Sequence, residues 1–423
     1  MVCRRVGIVS AVLLACLVVL ALPASAGAQP PAESAILLIG DGMGPVHVQI
    51  GHTIVGQPLA MEKMPVSGLV ATHQADGSVT DSAAAATALA TGHKTKNGML
   101  GVAPDGQRLE NIFERARALG KSTGVITTDS LTGATPAGFT SHVDSRGKRA
   151  EIALQTARSG SEVMLGFWKG DFLPKTDGGE REDGRDLIAE MQKAGYQVVY
   201  TKTQLKAATD KRIAGFFDDG PEAPQLADMV EKALPVLSQN PKGFVLMVES
   251  ARIDWSSHEN ELVGSVRATF ELDGAVAAVM GFAREQGRTL VVTTADHETG
   301  RPRIDDASKL GLMRDLKTEP AEIAKRLNTD RTNIGQVMRE YAGISDLTEA
   351  DLKEIRQATE AAAGIAKVIS ARAGVSWHST GHTESRVPLF AFGPGADRFS
   401  GEMDNTDIPK RIAEAIGLGA FPK

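Results

Sequence analysis

The sequence predicts an α/β fold, a three-layer α/β/α sandwich in which helices cover both faces of a central, mostly parallel sheet. Its short apolar runs are continuous rather than alternating, which is typical of strands buried on both faces. Helical patterns alternate with these runs along the chain, as a parallel sheet requires. With 423 residues, 42% of them hydrophobic, the chain can bury a large core.

The elements follow one another in the order that this alternation requires. The first strand is expected at 35–39, and a glycine-rich turn follows at 40–44. The alanine-rich segment 82–90, which ends at Thr91 and Gly92, predicts a helix with a glycine stop. We expect further strands at 124–128, 163–165, 196–200, 243–248, 289–294 and 387–392, and further helices at 109–119, 149–157, 185–194, 223–237 and 261–285.

The pattern changes at about residues 301–375, where charged helical segments are expected at 320–327, 333–341 and 349–363. This insertion separates two parts of the candidate site, and the sequence leaves its role open between a lid, a dimer contact and decoration. We therefore expect residues 29–423 to form a single catalytic domain that carries a helical insertion.

Residues 1–28 have the pattern of a secretory signal peptide. Arg4 and Arg5 precede the apolar run 6–22, and small residues follow at 24–28. The run is short for a membrane anchor, so we expect no membrane span in the mature chain and a periplasmic or secreted location. The paired arginines also suggest twin-arginine export, and a lipoprotein cleaved at Cys16 is a minority alternative.

The amino-acid composition argues against some classes of binding partner. The formal net charge of −6 becomes −8 without Arg4 and Arg5, and the chain has only three Tyr and three Trp. An acidic chain poor in aromatic residues argues against a nucleic-acid-binding surface. A small phosphate ester can still bind if metal ions reverse the sign of the charge locally. Because both cysteines, Cys3 and Cys16, precede residue 29, the mature chain has no disulfide.

Metal-ligand side chains flank the predicted strands. In parallel sheets, ligands bind beyond the carboxyl ends of the strands, so residues just past several strands are expected to meet. Carboxylates and imidazoles suit divalent zinc or magnesium. The candidates at these positions are Asp41, Thr135, Glu249, Asp254, His258, Asp296, His297 and His382.

Several candidate residues, some outside this list, have competing interpretations. Asp254 and His258 lie four residues apart, so one helical turn would bring both to one metal, although the spacing is also common by chance. Ser82 begins a predicted helix whose positive end would activate its hydroxyl, although Asp81 or Ser82 alone is also typical of an N-cap. Of the pair His378 and His382, we do not assume that both are ligands. For His47, His52, His73, His93 and His142 a structural or surface role is favoured.

Six motifs together resemble the alkaline phosphatase family. In order they are Gly-Asp-Gly-Met-Gly, Asp-Ser-Ala, Ala-Thr-Pro, Glu-x-x-x-Ile-Asp-x-x-x-His, Thr-Ala-Asp-His and Gly-His-Thr. The resemblance runs from about residue 35 to the C-terminus. It implies an alkaline phosphatase that hydrolyses phosphate monoesters to inorganic phosphate and an alcohol, through a phosphoserine intermediate at a site with two Zn²⁺ and one Mg²⁺.

The resemblance also implies a role for each residue. Ser82 matches the nucleophile, and Arg146 matches the arginine that binds the phosphate. The first zinc would be held by Asp254, His258 and His382, the second zinc by Asp41, Asp296 and His297, and the magnesium by Asp41, Thr135 and Glu249.

The sequence departs from the family pattern at two positions. Family members commonly carry Asp or His two residues before the threonine ligand, where this chain has Gly133, so a side-chain contribution to the magnesium site is missing. Trp255, at a position that varies among Lys, His and Trp, supplies no cation to the phosphate.

The resemblance also raises a homodimer as an expectation. Two alternatives stay open: a phosphodiesterase or sulfatase of the same superfamily, and a non-catalytic phosphate- or metal-binding protein.

Overall fold

A ten-stranded sheet forms the centre of the structure, a computed structural model that describes residues 31–422; the predicted signal peptide lies outside them. The sheet order is β14-β2-β13-β8-β1-β7-β3-β4-β6-β5, and only β13 runs antiparallel to its neighbours. The strands are β1 Ser34–Gly40, β2 Val66–Ala71, β3 Ser122–Ser130, β4 Val163–Phe167, β5 Gln197–Val199, β6 Ile213–Phe217, β7 Phe244–Ser250, β8 Thr289–Thr294, β9 Glu298–Thr299, β10 Pro302–Ile304, β11 Val375–Trp377, β12 His382–Thr383, β13 Val387–Phe392 and β14 Gly401–Asp404.

Helices lie on both sides of this sheet, so the predicted α/β/α sandwich is confirmed. Within residues 31–422, no helix combines the length and apolarity that crossing a membrane would need. The helices are α1 Pro45–Val55, α2 Ser82–Thr91, α3 Ile112–Ala118, α4 Ala134–Thr140, α5 Arg149–Ala157, α6 Leu187–Lys193, α7 Lys202–Ala207, α8 Leu226–Leu237, α9 Arg252–His258, α10 Leu262–Gln286, α11 Pro320–Ala324, α12 Ile334–Ala342, α13 Glu349–Gln357, α14 Ala361–Arg372 and α15 Asp407–Ala415.

The four central strands position the candidate site. Every residue of β1, β7 and β8 is buried, which explains why these strands are continuous apolar runs in the sequence. Because β8, β1, β7 and β3 are adjacent and parallel, their carboxyl ends meet at one edge. Asp296, Asp41 and Glu249 stand at neighbouring strand ends there, and the register places Glu249 opposite both Ile39 and Thr127.

The segment 301–375 forms a helical layer with its own apolar cluster, in which Ile323, Ile334 and Ile355 are fully buried. The single helix predicted at 349–363 is wrong, because α13 ends at Gln357 and α14 begins at Ala361. Arg331 explains the break: its guanidinium donates to the carbonyl oxygens of Ile355 at 2.8 Å and Ala358 at 2.7 Å, which otherwise would accept helical bonds.

The helix predicted from residue 109 begins instead at Ile112. Asn111 caps it, because its side chain accepts a hydrogen bond from the Glu114 backbone at 2.9 Å while Glu114 accepts one from the Asn111 backbone at 3.1 Å. This reciprocal capping box fixes the first turn.

Candidate active site

Ser82 is the first residue of α2 and is 5% exposed. Asp81 caps the helix, since its Oδ1 accepts a hydrogen bond from the Ala84 N–H at 2.9 Å. The cap and the nucleophile candidate are therefore separate residues, which resolves the N-cap alternative for Ser82. Its hydroxyl lies at the positive end of a ten-residue helix.

Three possible metal-ligand atoms converge on the space in front of Ser82. The Nε2 of His297 lies 3.3 Å from Ser82 Oγ, 3.2 Å from Asp296 Oδ2 and 3.5 Å from Asp41 Oδ1. Among the described residues, neither Asp41 Oδ1 nor Asp296 Oδ2 has a hydrogen-bond partner, although both are buried. Buried carboxylate oxygens without a donor are costly, and a divalent cation at this point would satisfy them.

A second group of donors adjoins the first. Asp254, His297 and His382 offer ligand atoms that all lie within 4.8 Å of one another. His258 joins them, with Nε2 3.3 Å from Asp254 Oδ2 and 3.1 Å from His382 Nε2. The predicted helical turn from Asp254 to His258 is present as α9, and His297 belongs to both groups of donors.

Hydrogen bonds fix the orientation of the three imidazoles. The Nδ1 of His258 donates to the Thr380 carbonyl at 2.5 Å, and that of His382 donates to the Thr80 carbonyl at 2.9 Å. The Nδ1 of His297 lies 3.3 Å from the Thr299 hydroxyl, whose own proton goes to Asp254 Oδ1 at 2.5 Å. A carbonyl oxygen only accepts, so Nε2 is the ring atom left to face a cation, the arrangement usual for metal-bound histidines.

Buried carboxylates dominate the electrostatics of the site. Burial, followed by the carboxylates of Asp296, Asp254 and Glu249, raises the pKa of Asp41 well above its usual range. Burial and Asp254 likewise raise the pKa of Asp296 to about 6. Burial and the neighbouring His382 lower the pKa of His297 to about 3, so its imidazole is neutral and able to bind a metal.

Asp254 is the carboxylate that stays ionised. Burial acts to raise its pKa, but hydrogen bonds from His258 and His382 outweigh burial and hold it far below the usual range. The hydrogen bond to Asp254 in turn raises the pKa of His258 to about 9. A cation bound here would displace these protons, so binding is coupled to proton release.

The predicted magnesium ligands lie next to the first group of donors. Glu249, 1% exposed, contributes to the raised pKa of Asp41, and it accepts a hydrogen bond from the Thr127 hydroxyl. Burial, then the Asp129 carboxylate, raises the pKa of Glu249 to about 8. The Thr135 hydroxyl is buried and, within the described part of the chain, has no hydrogen-bond partner.

Arg146 is held beside the nucleophile segment. Its Nη1 donates to Asp81 Oδ2 at 3.2 Å, and the same oxygen accepts from the Gly98 N–H at 3.0 Å. The Arg146 side chain is 44% exposed, so its guanidinium is open to a ligand from solvent. Asp81 therefore links the helix start to the candidate phosphate-binding arginine.

Other candidates lie outside the two donor groups. His378 contacts the Ser376 hydroxyl at 3.3 Å and belongs to neither group. His47 is buried between the Gly44 N–H at 3.0 Å and the Ser257 hydroxyl at 3.0 Å, a structural role as predicted. Trp255 is 38% exposed and stacks on Trp168, with ring centroids 5.7 Å apart.

Sequence reasoning missed Thr299, which joins Asp254 to His297. Its hydroxyl is fully buried and bonds to both side chains. The available signal was its position two residues after His297, because alternate residues of an extended segment face the same side. Asp129 was also missed.

A serine at a helix start, faced by two adjoining groups of buried carboxylates and imidazoles at the carboxyl edge of a parallel sheet, defines a metal-dependent hydrolase. Residues 32–418 match the sequence model of the family described as alkaline phosphatase. The chain belongs to the alkaline phosphatase family, and it is a phosphoric monoester hydrolase. This membership argues against the non-catalytic binding alternative.

Individual relatives agree over nearly the whole chain. Alkaline phosphatase 4 of Bacillus subtilis is 34% identical over 94% of this chain and 92% of its own length. A cold-active alkaline phosphatase from a Shewanella species is 30% identical with a TM-score of 0.82, covering 90% of this chain and 99% of that one. A His-to-Asp variant of the TAB5 alkaline phosphatase, solved with Mg bound in its M3 site, is 25% identical with a TM-score of 0.70 over 92% of this chain and 99% of its own.

Proposed function

We propose that this enzyme hydrolyses phosphate monoesters through a phosphoserine on Ser82, at a site that holds two Zn²⁺ and one Mg²⁺. The observation that carries the proposal is the 3.3 Å contact between Ser82 Oγ and His297 Nε2, because His297 belongs to both groups of metal-ligand candidates. A hydroxyl is a weak nucleophile on its own, and this position beside the ligand atoms supports its activation.

The side chains fit the implied cations. Asp254, His258 and His382 offer the mixed nitrogen and oxygen donors that zinc prefers, as do Asp41, Asp296 and His297 in the second set. Asp41, Thr135 and Glu249 offer only oxygen, which suits magnesium. The TAB5 variant with Mg in its M3 site supports a magnesium position in this family. Bound cations would lower the pKa of the attacking groups and take up charge on the attacking and leaving oxygens.

The chain's own residues then divide the reaction between them. Ser82 Oγ attacks phosphorus, the ester oxygen leaves as the alcohol, and water later releases inorganic phosphate and restores the hydroxyl. The Arg146 guanidinium can donate to two phosphoryl oxygens at once, while Asp81 holds it in place. The positive electrostatic potential at the N-terminus of α2 adds to the attraction for the phosphoryl group.

Specificity and location follow as further parts of the proposal. All the functional groups described face the phosphoryl group and the ester oxygen, so we expect broad specificity for the alcohol. The signal-like residues 1–28 support export to the periplasm or the medium, and a homodimer stays an expectation from the family.

Replacing the nucleophile tests the proposal. In Ser82→Ala we expect no phosphoserine on acid quenching, by mass spectrometry of the peptide, and a fall in monoester turnover of about 10³-fold or more. Ser400→Ala, at an exposed serine, is the matched control and should behave as the unaltered enzyme. Undiminished turnover by Ser82→Ala would exclude the nucleophile assignment.

The diesterase and sulfatase alternative is tested with three substrates. Rates for an aryl phosphate monoester, the matching diester and the matching sulfate ester should favour the monoester, because the exposed guanidinium of Arg146 best neutralises a dianion. A diester or sulfate preference would overturn the assignment of the substrate.

A further inference from the structure

Position 133 has no side chain, although its backbone would accept one. Gly133 is the N-cap of α4 with φ −56° and ψ 156°, a conformation open to any residue. A Cβ at this position would lie 2.2 Å from Asp129 Oδ2 and 2.9 Å from Asp129 Cγ. The Asp129 carboxylate therefore occupies the space that a side chain at position 133 would take.

A bulge at the end of β3 brings Asp129 there. The register between β3 and β4 runs from Ile126 opposite Leu165 to Ser130 opposite Phe167, so β3 carries two more residues than its partner over this stretch. Bulges of this kind redirect a side chain and are frequent next to active sites. Gly166 leaves room for the bulge in β3, since a Cβ at position 166 would lie 3.0 Å from the Asp129 carbonyl oxygen.

Hydrogen bonds hold the carboxylate in this orientation. Asp129 Oδ1 accepts from the Ser130 N–H at 2.5 Å, which leaves Oδ2 as the oxygen beside Gly133. The Asp129 N–H donates to Thr127 Oγ1 at 2.8 Å, and that hydroxyl donates to Glu249. One threonine thus ties Asp129 to the predicted magnesium ligand.

The surroundings call for a cation. Thr127 Oγ1 contacts both the Glu249 carboxylate and the Asp129 backbone, so the two acidic residues lie next to each other. Thr135 follows Gly133 by two residues, in the first turn of α4. Thr135 is 1% exposed, and its Oγ1 has no hydrogen-bond partner among residues 31–422. Two neighbouring acidic residues and a buried, unpaired hydroxyl offer the oxygen ligands that magnesium prefers.

We propose that Asp129 supplies, from strand β3, the carboxylate that position 133 lacks, and that it completes the third cation site with Asp41, Thr135 and Glu249. This proposal rests on the proposed function, which places Mg²⁺ at those three residues. It assigns Asp129 a role in binding the third cation, and it accounts for Gly133 as the residue that leaves room for Asp129.

The proposal can be tested without relying on activity by titrating the zinc-loaded full chain with Mg²⁺ in an isothermal titration calorimeter. Asp129→Asn and Asp129→Ala should weaken Mg²⁺ binding about 10- to 100-fold, while both zinc ions stay bound. Gly133→Asp alone should lower the melting temperature, because its side chain meets Asp129. The double variant Asp129→Ala with Gly133→Asp should recover both stability and Mg²⁺ affinity. Asp177→Asn, at an exposed aspartate, is the control.

The possible outcomes distinguish the proposal about Asp129 from the proposed function on which it rests. Unchanged Mg²⁺ affinity in Asp129→Asn would overturn it, and so would a double variant that binds Mg²⁺ no better than Asp129→Ala. If Asp129→Ala does not fold, the near-isosteric Asp129→Asn decides. An unaltered enzyme that binds fewer than two zinc ions and forms no phosphoserine would instead contradict the proposed function.

Discussion

Replacing Glu249 by glutamine should stabilise the metal-free protein and destabilise the metal-loaded protein. Glu249 is 1% exposed, and burial and Asp129 raise its pKa to about 8 from the usual 4.5. The unfolded chain is therefore ionised at a pH where the folded metal-free protein still holds the proton. Stability contributed by this group is complete below pH 4.5 and falls as the pH rises toward 8.

The size of the stability change follows from the difference between the two pKa values of Glu249. At about 1.4 kcal/mol per pKa unit, the ionised side chain costs the metal-free fold about 5 kcal/mol. Roughly 2 kcal/mol of this cost accrues between pH 6 and pH 8. Glutamine does not ionise and can still accept the hydrogen bond from the Thr127 hydroxyl. Glu249→Gln should therefore be more stable than the unaltered protein at pH 8 without metal, and less stable with Zn²⁺ and Mg²⁺ bound.

Guanidinium unfolding at pH 6 and pH 8, with chelator and with saturating metal, measures both effects. Groups remote from position 249 titrate alike in the two proteins. Asp41, whose pKa Glu249 helps to raise, changes in the direction that also favours the variant at pH 8, so the difference measures Glu249 together with this contact. Glu231→Gln, at an exposed glutamate of α8, should match the unaltered protein throughout. The reasoning is refuted if the stability difference does not change with pH in chelator, or if the unaltered protein is the more stable one in both metal states.

Two further substitutions test the phosphate side of the site. Arg146→Ala should lower kcat/KM for a monoester by about 10²- to 10³-fold, with Arg158→Ala as an exposed control, and an unchanged kcat/KM would contradict the role of Arg146. Trp255→Lys, next to the candidate ligand Asp254 and partly exposed, should tighten inhibition by inorganic phosphate about tenfold by adding a cation, whereas Trp255→Phe should not; equal inhibition constants in both would contradict this expectation.

The sequence predicts the centre of the fold because burial and pattern agree there. The central strands are buried on both faces, so each is a continuous apolar run with one interpretation, and β8 and β13 match their predicted bounds. Helix α2 is equally clear. Its alanines favour a helix, and Gly92 ends it with φ 73°.

The elements that the sequence does not reveal lack that agreement. α4 is buried at all seven residues and contains Gly138 and Pro136, so it has no polar face and no helical periodicity. β2 is mostly exposed or half-buried at the periphery of the sheet, and its short alternating pattern is weak.

The candidate site shows the same division. Asp254 and His258 are predictable because one helical turn fixes their separation, and Asp41 follows directly from a strand end. The position of Asp129 depends on a two-residue bulge, and that of Thr299 on contacts between segments 45 residues apart in the chain. Periodicity within one segment carries no information about either.

The central claim is that buried acids and imidazoles from distant parts of the chain surround a pair of cations beside the Ser82 hydroxyl. Anomalous diffraction at the zinc edge from crystals of the zinc-loaded enzyme tests it most directly. The account predicts two peaks about 4 Å apart, one among Asp254, His258 and His382 and the other among Asp41, Asp296 and His297, with Ser82 Oγ beside the second. A single peak, or two peaks remote from Ser82, would contradict it.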